Sequence, residues 1–599
     1  MCGIAGIFSY SDAANQVDSE ELLRIREAMV SRGPDGSGLW MSDNMRIGLV
    51  HRRLSIIDLT ESGAQPMATQ DELYHIVFNG EIYNYRELRG SLETKGYMFR
   101  SNSDTEVLLN LYAEYNADMV EHLRGMYAFA IWDVRKQRLF LARDPFGIKP
   151  LYYSNDGQSL RFASQVKALL KSGRIDTAPQ PAGHVGFYLW GYVPEPYTLY
   201  KGISVLPAGT TLWIDSTGQK NFNQFFDLSR EVANAEELAR EKPAISGYTQ
   251  EHLRNAIKDS VQCHQIADVD VGLFLSAGLD STTLTALAAE SNNNNLKTIT
   301  LGFEEYKDTD NDETTLAAVV AQSYGTHHRT KFLSKQDFTE SMDAFMTAMD
   351  QPSIDGVNTY FVSKIAKEAG MKVALSGVGG DELFGGYPSF KDIPKMVKLF
   401  GWSHHMPVAG KAFRWLSAPM LKYMTSPKYA GLLEYGHSYG GAYLLRRGLF
   451  MPWELPTVLD ADMVKEGWKE LQPLLALEES TSGISADKLK ISSLELSFYM
   501  RSQLLRDADW AGMAHSLEIR VPLVDVALFR TLLPMLTGKC PPTKQDMAAT
   551  PNKALPQAVI NKPKTGFSVP VREWLMDKDL GEKAGRGLRQ WAVRVYENG

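Results

Sequence analysis

The fold of the C-terminal half of this 599-residue chain follows from twelve residues, Val271-Gly272-Leu273-Phe274-Leu275-Ser276-Ala277-Gly278-Leu279-Asp280-Ser281-Thr282. An apolar strand-like run passes into a turn of small and hydroxyl residues, and a helical segment follows. Small side chains leave backbone N–H groups accessible and the helix N-terminus adds its dipole, so the turn suits a pyrophosphate. The chain contains no GxxxxGK followed by Ser or Thr, which argues against a Walker-type site.

The segments around this turn predict an α/β domain. Apolar strand-like runs at 269–275, 298–303 and 372–375 alternate with helical segments, which is typical of a parallel sheet. A mainly helical pattern follows from about 390 to 510, and the sequence does not indicate what this region does.

A different pattern precedes this domain. Short β-branched and aromatic runs separated by Gly, Asn and Asp turns predict a mostly β domain with a few helices over 1–214. The polar stretch 215–247 is interpreted as a linker with a short helix, and the second domain is predicted over 248–599.

Composition excludes several classes of function. The 63 Lys and Arg against 71 Asp and Glu give a net charge of −8, so no nucleic-acid partner is expected. No apolar run of 18 residues is present, so no membrane partner is expected. Three scattered cysteines and no secretion signal predict a cytoplasmic protein without disulfides.

Cys2 directly follows the initiator methionine. Removal of Met1 would give Cys2 a free α-amino group with a pKa of about 8, which can act as the general base for its own thiol. A cysteine at this position is weak evidence by itself, and the motifs that follow decide its meaning.

Four motifs follow Cys2 in order: Ser31-Arg32-Gly33-Pro34-Asp35, His51-Arg52-Arg53-Leu54-Ser55-Ile56-Ile57-Asp58, Asn79-Gly80-Glu81-Ile82-Tyr83-Asn84 and Ser103-Asp104-Thr105-Glu106. With Cys2, they resemble the class II glutamine amidotransferases over roughly the first 200 residues. The resemblance implies an α+β domain of the Ntn-hydrolase type, with layered antiparallel sheets and helices, that hydrolyses glutamine.

The resemblance also implies a role for each motif. Cys2 would be the nucleophile, and the Asn79 side-chain amide with the Gly80 backbone N–H would form the oxyanion hole. Arg53 would hold the glutamine α-carboxylate, while Asp104 and Glu81 would take its ammonium group and orient the amide.

Simpler roles exist for two of these residues. Asp104 lies between Ser103 and Glu106, which form a capping-box pattern, so it could serve only to stabilise a helix start. Arg53 could serve only in a surface ion pair.

The second domain carries its own set of motifs. The turn at 276–282 resembles the SGGxDS PP-loop of ATP pyrophosphatases, with Ala277 at the second position. A glycine-rich loop with acidic residues spans 375–387, and Lys562-Pro563-Lys564-Thr565-Gly566-Phe567 comes late in the chain. Together they resemble the asparagine synthetase B family, whose second domain is an α/β ATP-pyrophosphatase domain with helical additions.

This resemblance implies ATP and Mg²⁺ as cofactors. Asp280 and Asp381 would hold the metal, and Lys564 would stabilise charge during attack on the α-phosphorus. The segments 506–509 and 513–522 would shape the synthetase cleft. The implied ATP-binding residues are Leu273, Ser276, Gly278, Asp280, Ser281, Thr300, Gly302, Ser376 and Gly377.

The resemblance as a whole implies a homodimeric enzyme that uses glutamine, ATP and aspartate to make asparagine, AMP and pyrophosphate, with ammonia passing between the domains. Two departures concern the acceptor. Val378 stands where the family commonly has a glutamate, and segment 350–359 lacks the usual Ser/Ala-x-Ile-Pro form. The same chemistry on another carboxylate, such as a sugar uronic acid, therefore stays open, and Asp350, Asp355 or Glu382 could replace the missing base.

Two further functions fit less well. A catalytically silent relative with a sensing or structural role should have lost Cys2, Asp280, Asp381 or Lys564, and all four are present. A stand-alone glutaminase would not require the PP-loop.

Overall fold

The protein is described from a computed structural model that covers residues 2–242, 247–291, 295–424, 426–563, 570, 574 and 587–598. In these ranges the first part of the chain forms two six-stranded antiparallel sheets, and the second part forms a five-stranded parallel sheet with many helices. The predicted fold class, an Ntn-type α+β domain followed by an α/β domain, is confirmed.

The strands are short and lie in both halves of the chain. In chain order they are β1 Gly3–Ser9, β2 Gly36–Met41, β3 Ile47–Arg53, β4 Met67–Ala68, β5 Tyr74–Ile82, β6 Gly125–Asp133, β7 Arg138–Arg143, β8 Tyr152–Asn155, β9 Ser159–Ala163, β10 Ser204–Val205, β11 Thr210–Asp215, β12 Lys220–Gln224, β13 Val271–Phe274, β14 Lys297–Phe303, β15 His327–Leu333, β16 Val373–Leu375 and β17 Glu518–Arg520.

The helices concentrate in the second half. They are α1 Ser19–Glu27, α2 Tyr85–Thr94, α3 Asp104–Tyr115, α4 Val166–Leu170, α5 Pro181–Trp190, α6 Leu228–Glu241, α7 Gln250–His264, α8 Leu279–Ser291, α9 Thr314–Tyr324, α10 Lys335–Glu340, α11 Met342–Ala348, α12 Val357–Glu368, α13 Gly380–Phe384, α14 Ser389–Phe400, α15 Pro407–Met424, α16 Leu432–Tyr435, α17 Tyr439–Arg447, α18 Ala461–Leu471, α19 Pro473–Glu479, α20 Asp487–Leu494, α21 Arg506–Met513, α22 Val526–Leu536, α23 Lys544–Ala548, α24 Gln557–Ile560 and α25 Leu588–Asn598, with a π-helical segment Glu495–Leu505 between α20 and α21. Among the described helices, none is both long enough and apolar enough to cross a bilayer.

The first domain is a four-layer sandwich. Its sheets have the orders β10-β8-β9-β1-β3-β2 and β12-β11-β7-β6-β5-β4. Along β1, Ile4 and Phe8 belong to the core between the two sheets, while Ala5 and Ile7 face the core beneath α1 and α4. Both faces of β1 are covered, which explains why its sequence is apolar throughout rather than alternating.

The parallel sheet places the second domain's loops at one edge. Its order is β15-β14-β13-β16-β17, with β13 in the centre. The loops after β13 and β16 leave the same edge, because all neighbouring pairs in this sheet are parallel. Loops that meet beyond the carboxyl ends of parallel strands are the usual ligand-binding position in such sheets.

The segment 215–247, interpreted above as a linker with a short helix, contains a helix and also a strand. Strand β12 pairs with β11 and completes the second sheet, and helix α6 follows it. Leu228 and Val232 of α6 are buried in the same core as apolar residues of the second domain. The predicted domain limits themselves stay a prediction.

A buried ion pair joins the two domains. Arg32 has no exposed surface, and its Nη1 and Nη2 donate to the Asp509 carboxylate at 2.6 and 3.0 Å. Its Nε donates to the Cys2 carbonyl at 3.0 Å. The guanidinium therefore ties the start of β1 to helix α21, which lies more than 470 residues further along the chain.

A second buried arginine also connects the two domains. Arg520, at the end of β17, is fully buried and donates to Glu518 Oε1 at 2.6 Å through Nε. Its Nη2 lies 3.2 Å from Glu81 Oε1 in the first domain. Both connections involve residues from segments 506–509 and 513–522, which therefore contact the first domain as well as the synthetase cleft.

We expect Asp509→Asn to destabilise the chain by about 3–5 kcal/mol, because it leaves the buried Arg32 charge without its partner. The measurement is urea unfolding followed by far-UV circular dichroism. Glu231→Gln is the control, since it removes an exposed ion pair: the side chain of its partner Arg530 is 50% exposed. This loss should cost less than about 1 kcal/mol. Equal losses in the two variants would contradict the importance of the buried pair.

Candidate active sites

Cys2 lies at the entry to β1 and is 9% exposed. Its backbone nitrogen donates to Asn79 Oδ1 at 2.9 Å, and burial raises the pKa of its thiol. A thiol in such a place needs an adjacent base to become a nucleophile at neutral pH. Met1 lies outside the described residues, and the predicted release of the Cys2 α-amine stays a prediction.

Asn79 faces Cys2 from strand β5 and is completely buried. Its Oδ1 is used by the Cys2 nitrogen, but its Nδ2 has no hydrogen-bond partner among the described residues. A buried amide donor without a partner is costly, and its place beside a nucleophile suits a developing oxyanion. Gly80 follows, and a Cβ there would lie 2.1 Å from the Met126 carbonyl oxygen, so the close approach of β6 requires glycine.

The predicted glutamine-binding residues Arg53 and Asp104 are both held by backbone groups. Arg53 ends β3, and its guanidinium donates to the carbonyls of Thr60, at 2.7 Å, and Asp58. Asp104 begins α3, and its Oδ2 accepts from the Ile82 N–H at 3.1 Å, next to the Asn79-Gly80 strand end. Burial raises the pKa of Asp104 to about 6, so it is ionised at neutral pH.

Glu81 is placed differently from the simple recognition role that the resemblance implied. One oxygen contacts Arg520 of the second domain, while Oε2 is buried without a hydrogen-bond partner among the described residues. Burial raises the pKa of Glu81, and Arg520 offsets only part of that shift. Glu81 therefore links the glutaminase site to the synthetase domain, and its contact with glutamine stays a prediction.

In the second domain, a cavity of about 590 Å³ opens at the carboxyl edge of the parallel sheet. The PP-loop forms one wall, where the Ser276 and Ser281 hydroxyls are 2.9 Å apart and Gly278 N–H donates to Ser276 Oγ. These bonds fix the turn at the start of α8. A cavity of this size is large enough for a nucleotide.

The two predicted metal ligands meet at this cavity. Lys544 Nζ lies 2.5 Å from Asp280 Oδ2 and also contacts Asp381 Oδ1. A Cβ on Gly380 would lie 2.4 Å from Asp280 Oδ1, and one on Gly386 1.8 Å from Asp381 Oδ1, so both carboxylates need glycine neighbours. Nothing in the spacing of the sequence brings Lys544 to these aspartates, and sequence reasoning missed it.

The carboxylate pair fits a magnesium ion that is completed by phosphate oxygens. Burial opposes the charge of Lys544, but Asp280 and Asp381 outweigh it and raise the pKa of this lysine. Its ammonium group thus occupies the position between two carboxylates that a divalent cation would take. Among the described residues, no group of three or more His, Cys, Asp or Glu side chains could hold a metal alone.

The predicted ATP-binding residues divide into two groups. Six of them line the cavity, namely Ser276, Gly278, Asp280, Ser281, Ser376 and Gly377. Leu273 and Thr300 are buried in β13 and β14 and are not among the described residues that line it, nor is Gly302. Lys564 lies outside the described residues; Pro563 before it lines the cavity.

Two of the three carboxylates considered for the missing base line the same cavity as Val378. Asp355 and Glu382 line the same cavity, and the Tyr387 hydroxyl donates to Glu382 Oε1 at 2.8 Å. Burial, together with the nearby Asp381, raises the pKa of Glu382 to about 7. This value suits a general base near neutral pH.

Asp350, the third candidate for the missing base, instead caps a helix. Its carboxylate accepts from the backbone N–H groups of Val166 and Lys167 at 2.9 and 3.0 Å, at the start of α4 in the first domain. It is not among the described residues that line the cavity. Asp350 caps a helix across the domain boundary and is not placed to act on an acceptor.

Comparison with known proteins agrees with this two-domain arrangement. A glutamine amidotransferase domain model matches residues 1–226, and an asparagine synthase model matches residues 252–597. The glutamine-hydrolysing asparagine synthetase 1 of Bacillus subtilis is 34% identical over 96% of this chain and 88% of its own length. Asparagine synthetase 3 of the same organism is 29% identical over 88% of this chain and 79% of its own. The amidase chry2 of Gibberella zeae is 29% identical over 65% of this chain and 60% of its own length.

The fold and the two sites define a glutamine amidotransferase joined to an ATP-dependent ligase domain. The chain belongs to the glutamine-hydrolysing asparagine synthetase family.

We expect Asn79→Asp to lower the kcat of glutamine hydrolysis about 100- to 1,000-fold. The substitution keeps the oxygen that accepts from the Cys2 nitrogen but removes the Nδ2 donor. Steady-state glutamate release measures this effect, with ammonium-dependent synthesis as an internal control that should persist. An unchanged kcat for glutamine hydrolysis would exclude Asn79 as an oxyanion donor.

Proposed function

We propose that this protein is a glutamine-dependent asparagine synthetase that adenylates aspartate and amidates it with ammonia from glutamine. The observation that supports it most strongly is the presence of both halves in one chain. An unpaired amide donor faces Cys2, and two carboxylates converge at a nucleotide-sized cavity behind a PP-loop.

In the first domain the Cys2 sulfur attacks the glutamine side-chain carbonyl, and the α-amine takes the thiol proton. Asn79 Nδ2 and the Gly80 N–H stabilise the oxyanion of the tetrahedral intermediate. Collapse of the intermediate breaks the C–N bond and releases ammonia, with the proton returned from the α-amine. Water then hydrolyses the thioester to glutamate and regenerates Cys2.

In the second domain an oxygen of the acceptor carboxylate attacks the α-phosphorus of ATP. The bond to the pyrophosphate oxygen breaks, leaving an acyl-adenylate and pyrophosphate. Asp280 and Asp381 would hold Mg²⁺, which neutralises phosphate charge when it is bound. Lys544, which contacts both carboxylates, and Lys564 would supply positive charge for the phosphate oxygens.

Ammonia from the first site attacks the acyl carbon of the adenylate, and AMP leaves. The attacking nitrogen must lose a proton, and Glu382 is the group at the acceptor side whose pKa suits that task. The buried contacts of Arg32 and Arg520 support a direct route between the sites, because they hold Cys2 and Glu81 against the synthetase domain.

The proposal includes a cytoplasmic site of action, where ATP and glutamine are available. Cys2, Cys263 and Cys540 are all free thiols, in keeping with a reducing compartment. The homodimer that the resemblance implies stays a prediction.

The direct test uses purified protein with ATP, Mg²⁺, glutamine and aspartate. We expect AMP and asparagine in equal amounts, quantified by chromatography and mass spectrometry. AMP without asparagine, or no AMP formation, would contradict aspartate as the acceptor.

A second acceptor class follows from the departure at Val378. Valine cannot accept a proton, and the family commonly has a glutamate at this position. One relative of this chain, chry2, is named an amidase and not an asparagine synthetase. The same assay with a sugar uronic acid in place of aspartate tests this alternative, and uronic-acid-dependent AMP would favour it.

We expect Cys2→Ala to abolish glutamine-dependent synthesis and to leave synthesis from ammonium chloride within about twofold of wild type. The reason is that Cys2 acts only in releasing ammonia, at a site separate from the nucleotide cavity. Cys540→Ala, which alters an exposed thiol, is the matched control and should retain both activities. Loss of ammonium-dependent synthesis in Cys2→Ala would contradict separate sites.

We expect ammonium-dependent synthesis, at a fixed concentration of free NH₃, to rise with pH to a plateau. Burial raises the pKa of Glu382, so the rate should be lost at acidic pH, where this base is protonated. In Glu382→Gln the rate of synthesis at the plateau should fall about 100-fold or more, and the rise of the rate with pH should disappear. If the rise of the rate with pH persists in Glu382→Gln and disappears in Asp355→Asn, the base is Asp355 instead.

A further inference from the structure

The helical region after the nucleotide loops carries an unusual concentration of exposed apolar side chains. Seven large apolar residues between 399 and 416 are at least 40% exposed, and Val408 and Trp415 reach 79% and 75%. We call these seven the apolar patch; they are Leu399, Trp402, Met406, Val408, Phe413, Trp415 and Leu416. Large exposed apolar patches mark sites of association with proteins or membranes.

The patch is built by two helices and the turn between them. Helix α14 ends at Phe400, a 3₁₀ turn covers Gly401–His405, and α15 begins at Pro407. One face of α15 packs inward, where Gly410 lies against the backbone of Leu433 and Glu434. The other face therefore points away from the protein and carries the apolar side chains.

Cationic residues flank the patch. The segment 389–424 contains five lysines, one arginine and one aspartate, so it carries +5 within a chain of net charge −8. Lys391, Lys395 and Lys398 are spaced three or four residues apart on α14 and are exposed, as is Lys411 on α15. None of these four lysines forms an ion pair with any residue that the structure describes.

We propose that α14 and α15 bind the protein peripherally to the surface of a membrane that contains anionic lipids. Exposed Trp, Leu and Met side chains beside unpaired lysines are the composition of helices that lie in a membrane interface. Each lysine near an anionic surface gains affinity, and tryptophan prefers the headgroup level. A second copy of the chain fits less well, because a two-fold contact would bring the four exposed lysines of one copy close to those of the other.

This inference revises one sequence-based expectation. No membrane partner was expected, because the chain lacks an apolar run long enough to span a bilayer. A helix that lies on the surface needs no such run; it needs one apolar face and a cationic rim. The distinction depends on which side chains the fold leaves exposed, and the sequence does not give that.

The test is co-sedimentation of the full-length protein with sucrose-loaded vesicles. Vesicles of phosphatidylcholine with one-third phosphatidylglycerol should pellet the protein at low salt, and pure phosphatidylcholine vesicles should not. Binding should weaken strongly at 0.5 M NaCl, where surface charges are screened. Equal binding to both vesicle types, or no binding to the anionic ones, would overturn the proposal.

Two double variants separate the apolar and the cationic contributions. Trp415→Ser with Leu416→Ser should abolish vesicle binding, and Lys395→Glu with Lys398→Glu should weaken it by about fivefold or more per residue. The matched controls are Met98→Ser with Leu475→Ser and Lys220→Glu with Lys335→Glu, which alter exposed residues elsewhere and should bind as wild type. Glutamine hydrolysis by every variant reports that the fold is intact.

Analytical ultracentrifugation tests whether a second copy of the chain covers the apolar patch instead. We expect Trp415→Ser with Leu416→Ser to leave the oligomeric state unchanged without lipid. If this variant instead dissociates an oligomer that the wild type forms, the patch is an interface between copies of the chain and the membrane proposal is wrong.

Discussion

The two buried arginines at the domain boundary constrain the rest of the molecule. Arg32 is fully enclosed and depends on Asp509, while Arg520 is shared between Glu518 and Glu81. A buried guanidinium that loses its partner is strongly unfavourable, so the charge of Arg32 is satisfied only when the domains dock in one register. The same contacts reach Cys2 through its carbonyl oxygen and the glutaminase site through Glu81. The docking of the two domains therefore also fixes the geometry of the first active site.

The second site depends on a comparable balance of charge. Asp280 and Asp381 come close together only because glycines lie beside them, and Lys544 compensates their charge. Glu382 and its partner Tyr387 line the same cavity as Val378, and the pKa of Glu382 suits the base that the proposed amidation needs.

Much of this arrangement could be predicted from the sequence. Cys2, Asn79-Gly80 and the PP-loop lie in contiguous motifs that carry the family resemblance. The change in apolar period near residue 248 predicted a mostly β domain followed by an α/β domain, and the resemblance implied the Ntn type of the first. Lys544, Arg520 and Asp509 could not be assigned, because their partners lie between 160 and 480 residues away and no local pattern encodes such contacts. The helix-capping role of Asp350 and the exposure of the patch on α15 are equally consequences of tertiary packing.

Direct passage of ammonia across the docked interface is the central claim, and isotope competition tests it. Synthesis is run with glutamine labelled with ¹⁵N at the amide and with excess unlabelled ammonium. We expect most of the amide product to carry ¹⁵N in the wild type, and the label to be diluted toward the bulk ratio in Asp509→Asn under conditions where that variant stays folded. Wild-type product that carries only the bulk proportion of ¹⁵N would show that ammonia escapes to solvent, and would contradict the claim.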